Sequence, residues 1–266
     1  MSPLWRDETR IWIAPGEVSI SRFNRGVRPT PAGDVTRRVE SSGLQWQPAL
    51  SAIGALLEDG QWCAPNAQVV ISNLWARYAI VPWAPDLVSG EERSAYARIC
   101  LSQIYGAVDD AWRVTLSEAQ TGRASVACAV PEALIGNLRV LLSARGLRLA
   151  SLQPLLIASY NRWVRRIPDG PAWFVCVEDG ALTAARLAIG EWDRVYAARI
   201  GQDWSVELLR LQAFARMASS PGASVRVFVH APPRLRDLAG VDESGIEWLS
   251  DEPSQPAGAT VVRLPV

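Results

Sequence analysis

The amino-acid sequence predicts a mixed α/β protein with two similar lobes. Strand-like runs joined by glycine turns precede helical runs in the first half of the chain, and the same order begins again after a Pro-Asp-Gly-Pro loop at 168–171. The 266 residues, 49% apolar and 20% charged, suit one large globular unit or two lobes. The first lobe is predicted over 1–160, the second over 161–251 and a flexible polar tail over 252–266.

Turn and capping residues place the elements of the first lobe. Pro15-Gly16 divides an alternating apolar run, which predicts a β-hairpin, and Ser89 before two glutamates is typical of a helix start. The predicted elements are, in order, the hairpin over 10–26, a loop over the proline-containing stretch 28–36, a helix over 47–60, a strand hairpin over 69–83, a helix over 89–106, paired strands around the turn at 120–122, a helix over 131–146, and a strand then a helix over 147–166.

The second lobe repeats this rhythm in a shorter form. Three strand-like runs separated by glycine turns predict a meander, and an amphipathic run after Asp203 predicts a helix. The predicted elements are strands over 172–180, 181–190 and 191–200, a helix over 203–218, a strand over 224–230, a short helix over 232–240 and a last strand over 245–250.

Two residue types limit the chemistry. All 27 basic residues are arginine, so the chain has no lysine for a phosphate-binding loop, a Schiff base or a kinase site. The one histidine, His230, ends a strand-like run, where a structural role is the simpler interpretation. Four separated cysteines, at 63, 100, 128 and 176, predict buried, reduced thiols. Classes of enzyme that need a lysine or a histidine-based metal site are therefore excluded.

Charge and hydropathy predict a cytoplasmic protein, and the absence of lysine beside abundant Ala, Arg, Pro and Trp suggests a bacterium with GC-rich DNA. The formal net charge is zero, which gives no overall field for nucleic acid or for an anionic membrane. No apolar run reaches the roughly 18 residues that span a bilayer, and the N-terminal stretch lacks the apolar core of a signal peptide. We expect no nucleic-acid partner and no direct membrane insertion, although a partner could hold the chain at a membrane.

The stretch "VVISNLWARYAIVPW" at 69–83 resembles a segment of a known family. The order of elements is similar to the actin-like (Hsp70/sugar-kinase) fold. Within that fold, two stretches look like the PilM/GspL group, the actin-like component of the bacterial type IV pilus and type II secretion inner-membrane platform. One is "GLRLASLQPLLIASYNRW" at 146–163. The other carries the pattern LSN-x-x-x-R-Y-x-x-x-P-W at Ser72, Asn73, Arg77, Tyr78, Pro82 and Trp83.

The resemblance implies a nucleotide site between the lobes, and the sequence departs from it. Two glycine-turned hairpins would hold the phosphates and would each supply an aspartate. The first hairpin keeps Gly16 without that aspartate, and the second keeps Gly180 and Thr183 but has Glu178 in the aspartate's place. By strand alternation, Asp179 points the other way. We therefore predict a degenerate site with no cofactor, and weak ATP binding stays open.

The resemblance also implies a function and partners. The leading hypothesis is a non-catalytic scaffold at the inner membrane, with an inserted subdomain at about 89–130, that docks the cytoplasmic tail of a bitopic PilN-like protein. An assembly ATPase or a polytopic platform protein is a further expected partner. The alternative is a nucleotide-binding actin-like ATPase or phosphotransferase, and a polymerising cell-shape or septum protein is a weaker third candidate. The pathway, pilus or secretion, stays open.

Trp75, Arg77 and Tyr78 are the candidate partner-binding residues, on the same resemblance. Tryptophan and arginine are enriched where proteins bind one another, although most tryptophans lie in cores. Arg77 stands between apolar neighbours in a predicted strand, so its guanidinium must reach solvent or find a carboxylate or a carbonyl. Its alternative role is an internal salt bridge to a helix of the first lobe.

Overall fold

The computed structural model describes residues 7–24, 30–40, 43–62, 64–118, 121–188, 191–201, 203–217, 226–236 and 245–249. The strands are β1 (Glu8–Ala14), β2 (Glu17–Asn24), β3 (Thr30–Arg38), β4 (Asn66–Ile71), β5 (Arg77–Val81), β6 (Trp112–Leu116), β7 (Ser125–Pro131), β8 (Arg148–Pro154), β9 (Ala172–Glu178), β10 (Ala181–Ala188), β11 (Glu191–Arg199), β12 (Arg226–His230) and β13 (Ile246–Trp248). The helices are α1 (Gln47–Leu57), α2 (Gly90–Tyr105), α3 (Glu132–Ser143), α4 (Leu155–Trp163) and α5 (Ser205–Met217).

Two five-stranded sheets share one topology. The first has the order β3-β2-β1-β4-β8, and the second has the order β11-β10-β9-β12-β13. In each sheet the first three strands form an antiparallel meander, and the later strands are parallel to the first strand. The repeat predicted from the order of elements is therefore confirmed as a duplicated strand order. The hairpin turns of the two meanders are the features that position the candidate site.

A third sheet, of order β5-β7-β6, is antiparallel and packs against α2. Helix α2 begins with a capping box, because the Ser89 hydroxyl accepts from the Glu92 N–H and the Glu92 carboxylate accepts from the Ser89 N–H. The helix ends at Gly106, whose φ of 79° suits a residue without Cβ. Both predicted ends of this helix are confirmed.

Helix α4 joins the cores of the two large sheets. Its buried Leu156 and Ile157 belong to one apolar cluster that also contains Ile71 of the first sheet and Phe174 of the second. The opposite face of the second sheet packs on α5, with Trp173 and Leu208 in a separate cluster. Because both faces of β9 are covered, all seven of its residues are buried.

Two predictions about the first lobe are wrong. The stretch 28–36 was expected to be a loop, but residues 30–38 form β3. Pro31 is tolerated there because β3 is an edge strand and needs no N–H on its outer side. The stretch 69–83 was expected to behave as one hairpin. Instead β4 and β5 lie in different sheets, because the 3-10 turn Asn73–Trp75 redirects the chain between them.

The remaining element predictions are confirmed within the described residues. The short helix predicted at 232–240 is a 3-10 turn at Pro233–Leu235, and its continuation lies outside the described residues, as do Gln120 and the tail 252–266. Cys100, Cys128 and Cys176 are buried free thiols, and Cys63 lies outside the described residues. Within the described ranges, no helix combines the length and apolarity needed to cross a bilayer.

Candidate functional site

A cavity of about 500 Å³ lies where the hairpin turns of the two meanders meet. The β1–β2 turn contributes Gly16 and Glu17, and the β9–β10 turn contributes Glu178, Asp179 and Gly180. The rest of the wall comes from Arg38, Gly201, Arg234 and Leu235. Three of the four residues predicted as a degenerate nucleotide site thus line one cavity. The fourth, Thr183, is buried inside β10 opposite Cys176 and is absent from this lining.

Glu178 turns away from solvent and bonds to the first lobe. Its side chain is only 4% exposed, and its Oε1 atom accepts a hydrogen bond of 2.8 Å from the Asn73 backbone N–H. Its Oε2 atom is buried and makes no hydrogen bond within the described part of the chain. Asp179, the next residue, is exposed as strand alternation predicts. Glu178 stands where the actin-like pattern has an aspartate that would face a metal ion. Here its carboxylate accepts a hydrogen bond from the Asn73 backbone instead.

Burial raises the pKa of the Glu178 carboxyl group from 4.5 to about 7. Hydrogen bonds from the Ser72 hydroxyl and the Asn73 N–H lower this pKa in part, and the charge of Asp179 raises it. Loss of hydration penalises the charged form, and here it outweighs the two donors. Glu178 is thus close to half-protonated at neutral pH.

Arg234 closes the rim of the cavity. Its Nη2 atom lies 2.6 Å from Asp179 and 3.9 Å from Glu17, so one guanidinium spans the two hairpin turns. The pKa of Arg234 is raised, chiefly by its hydrogen bond to Asp179. Since Arg234 is about half exposed, the ion pairs are screened and each stabilises the fold only weakly.

The charges of this cavity fit a polyphosphate poorly. Three carboxylates line it against two arginines, and the rim arginine is already paired with Asp179 and Glu17. The chain contains no lysine. Among the described residues, no group of three or more His, Cys, Asp or Glu side chains is placed to hold a metal ion. The two hairpin turns meet at this cavity, but their acidic side chains are bonded to Asn73 and Arg234 of the chain itself.

Ser72 and Asn73 form a hydrogen-bonded junction beside the cavity. Ser72 caps the 3-10 turn by accepting from the Leu74 N–H at 3.1 Å. The Asn73 Oδ1 atom accepts from the Tyr78 hydroxyl at 2.7 Å and from the Leu156 N–H at 3.0 Å. Helix α4 has no side-chain cap of its own, so Asn73 satisfies one of its free N–H groups. This junction accounts for the Ser-Asn and Tyr positions of the motif.

Trp75 and Tyr78 are core residues, which corrects their prediction as partner-binding residues. They are 4% and 2% exposed. The Trp75 Nε1 donates to the Leu44 carbonyl at 2.7 Å, and burial raises the pKa of Tyr78 well above its usual value. Their polar atoms are satisfied inside the protein, as buried aromatic residues require. Neither side chain is available on the surface.

Arg77 is half-buried and stacks on aromatic rings. Its guanidinium carbon lies 3.9 Å from the centre of the Trp112 ring and 5.5 Å from that of Tyr105. Its Nη1 atom is buried and makes no hydrogen bond within the described part of the chain. The alternative internal salt bridge is absent among the described residues. The local sequence pattern predicts Arg77 as a site residue, but it does not contain the two rings, because Tyr105 lies in α2 and Trp112 in β6.

If the strands of each large sheet are numbered separately along the chain, both sheets have the order 3-2-1-4-5. This duplicated order, with a cavity between two glycine-turned hairpins, defines the actin-like class of fold. Solved structures similar to the chain include the PilM–PilN type IV pilus biogenesis complex, at 15% identity and a TM-score of 0.66 over 91% of this chain and 88% of that one. The cytoplasmic domain of EpsL, an inner-membrane component of the type II secretion system of Vibrio cholerae, is similar at 11% identity and a TM-score of 0.58, over 92% and 90%.

A Bacteroides thetaiotaomicron protein of actin-like ATPase fold and unknown function is similar at 11% identity and a TM-score of 0.56, over 86% and 84% of the two chains. No protein-family model matches the chain, and no curated protein matches its sequence. At these identities the likeness establishes the fold, and function has to be argued from the site.

Proposed function

We propose that the chain is a non-catalytic cytoplasmic scaffold of a type IV pilus or type II secretion inner-membrane platform. The observation that carries this proposal is the cavity between the hairpins, whose acidic side chains bind Asn73 and Arg234 of the chain itself. Similarity in fold to PilM in its complex with PilN, and to the EpsL cytoplasmic domain, supports the choice of assembly. A second function, as an ATPase or phosphotransferase, requires a phosphate site that these residues disfavour.

The expected partner is a bitopic membrane protein that offers a short cytoplasmic tail, and a polytopic platform protein or an assembly ATPase is a further candidate. Affinity capture with the tagged chain from detergent-solubilised membranes tests this directly. We expect a bitopic protein to co-purify and to be lost when its cytoplasmic tail is deleted. Recovery that survives deletion of the tail, or recovery of soluble metabolic enzymes alone, would contradict the proposal.

Arg77 is the residue that we expect to contact the tail. Unlike the buried Trp75 and Tyr78, Arg77 is only half-buried. A carboxylate or carbonyl of the partner would bind its charged, planar guanidinium. Removing Arg77 should therefore weaken the complex more than it weakens the fold.

We expect Arg77→Ala to weaken capture of the bitopic protein about tenfold or more while circular dichroism still reports a folded chain. Arg113→Ala is the matched control, because Arg113 lies on the same sheet but is exposed and paired with Glu132 at 2.7 Å. Arg77→Lys keeps the positive charge beside Trp112 and loses the planar fork, so it should also bind less tightly. Equal capture by all three variants would remove Arg77 from the interface.

A further inference from the structure

Two carboxylates are buried among the described residues, and only one has a basic partner. Glu8 is 2% exposed and accepts from the Arg10 guanidinium at 2.9 Å. Glu178 is 4% exposed and is bonded to neutral donors only. A buried carboxylate without a cation is costly in its charged form, so Glu178 favours the neutral form or contact with water.

The Glu178 contact is one small polar contact between the ends of β4 and β9, whose sheets also share an apolar core around α4. The β9–β10 turn carries Glu178 and meets the 3-10 turn Asn73–Trp75, where the Leu74 side chain lies next to Gly180. The charged and titratable groups around Glu178 are Glu17 and Arg38 across the cavity, Asp179 and Cys176 on its own hairpin, Arg234 on the 3-10 turn Pro233–Leu235, and Tyr78 on β5. Of the two cations, Arg234 is paired with Asp179 and Glu17.

We propose that Glu178 is the switch of an interlobe latch. Its neutral carboxyl group holds the β9–β10 turn against Asn73, and its ionisation favours separation of the two hairpins so that water reaches the carboxylate. The rim ion pair of Arg234 is a second, independent tether, because it uses Asp179 and Glu17 and does not touch Glu178. This inference concerns the chain by itself and does not depend on the proposed partner.

The direction of the pH dependence follows from linkage. The closed form binds the proton with a pKa of about 7, whereas a hydrated glutamate has the ordinary value of 4.5. The proton therefore stabilises the closed latch fully below pH 4.5, and this contribution is lost as the pH rises through 7. By this linkage the open-to-closed ratio should rise about tenfold between pH 6 and pH 8.

Hydrogen exchange measured by mass spectrometry tests the latch on the intact chain. The reporters are peptides containing the Asn73 and Leu156 amides, both of which donate into the contact region. After correction for the intrinsic rate, we expect protection of these amides to fall about tenfold from pH 6 to pH 8 in the wild type. Glu178→Gln should abolish the fall, because it keeps the shape and removes the titration.

Two further variants separate the latch from general stability. Asp179→Asn weakens the rim ion pair and should keep a fall in protection, moved to lower pH because the charge of Asp179 no longer raises the pKa of Glu178. Ser72→Ala removes a donor that lowers the pKa of Glu178, so it should move the fall in amide protection to higher pH. This shift also tests the latch if Glu178→Gln fails to fold. The same fall in Glu178→Gln as in the wild type, or no fall in the wild type, would overturn the proposal.

Discussion

At the scale of single residues, Asn73 is the group on which the site depends most. Its Oδ1 atom accepts from the Tyr78 hydroxyl on β5 and from the Leu156 N–H in the first turn of α4. Its backbone N–H donates to Glu178, which lies at the end of β9, more than a hundred positions further along the chain. Removing one member of a buried network leaves its partners unsatisfied, which costs more than the bond itself. A short polar motif thus links three parts of the fold.

We expect Asn73→Ala to lower the free energy of unfolding by about 2–4 kcal/mol, because the Tyr78 hydroxyl and the Leu156 N–H both lose their acceptor. Urea denaturation followed by tryptophan fluorescence measures this change. Asn66→Ala is the control, since among the described residues the Asn66 Oδ1 atom accepts only from the exposed Arg148 side chain, and its loss should cost less than about 0.5 kcal/mol. Similar losses of unfolding free energy in the two variants would mean that the buried junction stabilises the fold no more than an exposed hydrogen bond does.

At the scale of elements, capping and turn residues were predicted well because they act locally. Ser89 with Glu92 marked the start of α2, and glycine turns marked the strands of both meanders. The prolines at 29 and 31 misled the prediction of β3, because an edge strand accepts a proline that a central strand would reject. Whether a strand lies at an edge is a property of the sheet, which local sequence does not contain.

We expect Ser89→Ala to lower the free energy of unfolding by about 1 kcal/mol, because the Glu92 N–H loses its side-chain acceptor at the start of α2. Ser94→Ala is the matched control on the same helix, since its hydroxyl donates back to the Gly90 carbonyl within the helix and caps no free N–H. Chemical denaturation of both variants gives the difference. A larger loss in Ser94→Ala would show that the capping box does not determine the stability of this helix.

The candidate site was predictable in part, because its glycine turns are set by local sequence while its contacts are not. Glycine turns identified the hairpins of Gly16 and Gly180, and the fold brings them to one cavity. The bond from Asn73 to Glu178, the span of Arg234 and the rings around Arg77 all depend on contacts between distant segments. Trp75 and Tyr78 were misassigned because an aromatic residue in a strand has the same local pattern whether it faces the core or a partner.

At the scale of the whole molecule, the actin-like fold is retained, while acidic side chains around the cavity between its hairpins are bonded to other residues of the chain. An actin-like protein that closes around a nucleotide needs side chains that can bind phosphate groups and a metal ion. Here Glu178 bonds to Asn73, and Arg234 spans Asp179 and Glu17. Acidic groups that are bonded to the chain itself suit the proposed scaffold better than a nucleotide-binding protein.

The most direct test of this account is a titration of the full chain with Mg·ATP, followed by calorimetry and by the melting temperature. We predict no measurable heat of binding and a change in melting temperature of less than about 1 °C, because three carboxylates line the cavity against two arginines, and Arg234 is already paired with Asp179 and Glu17. A stabilisation of several degrees that disappears in Glu178→Ala would contradict the account. It would show that the cavity takes a nucleotide and that the chain is more than a scaffold.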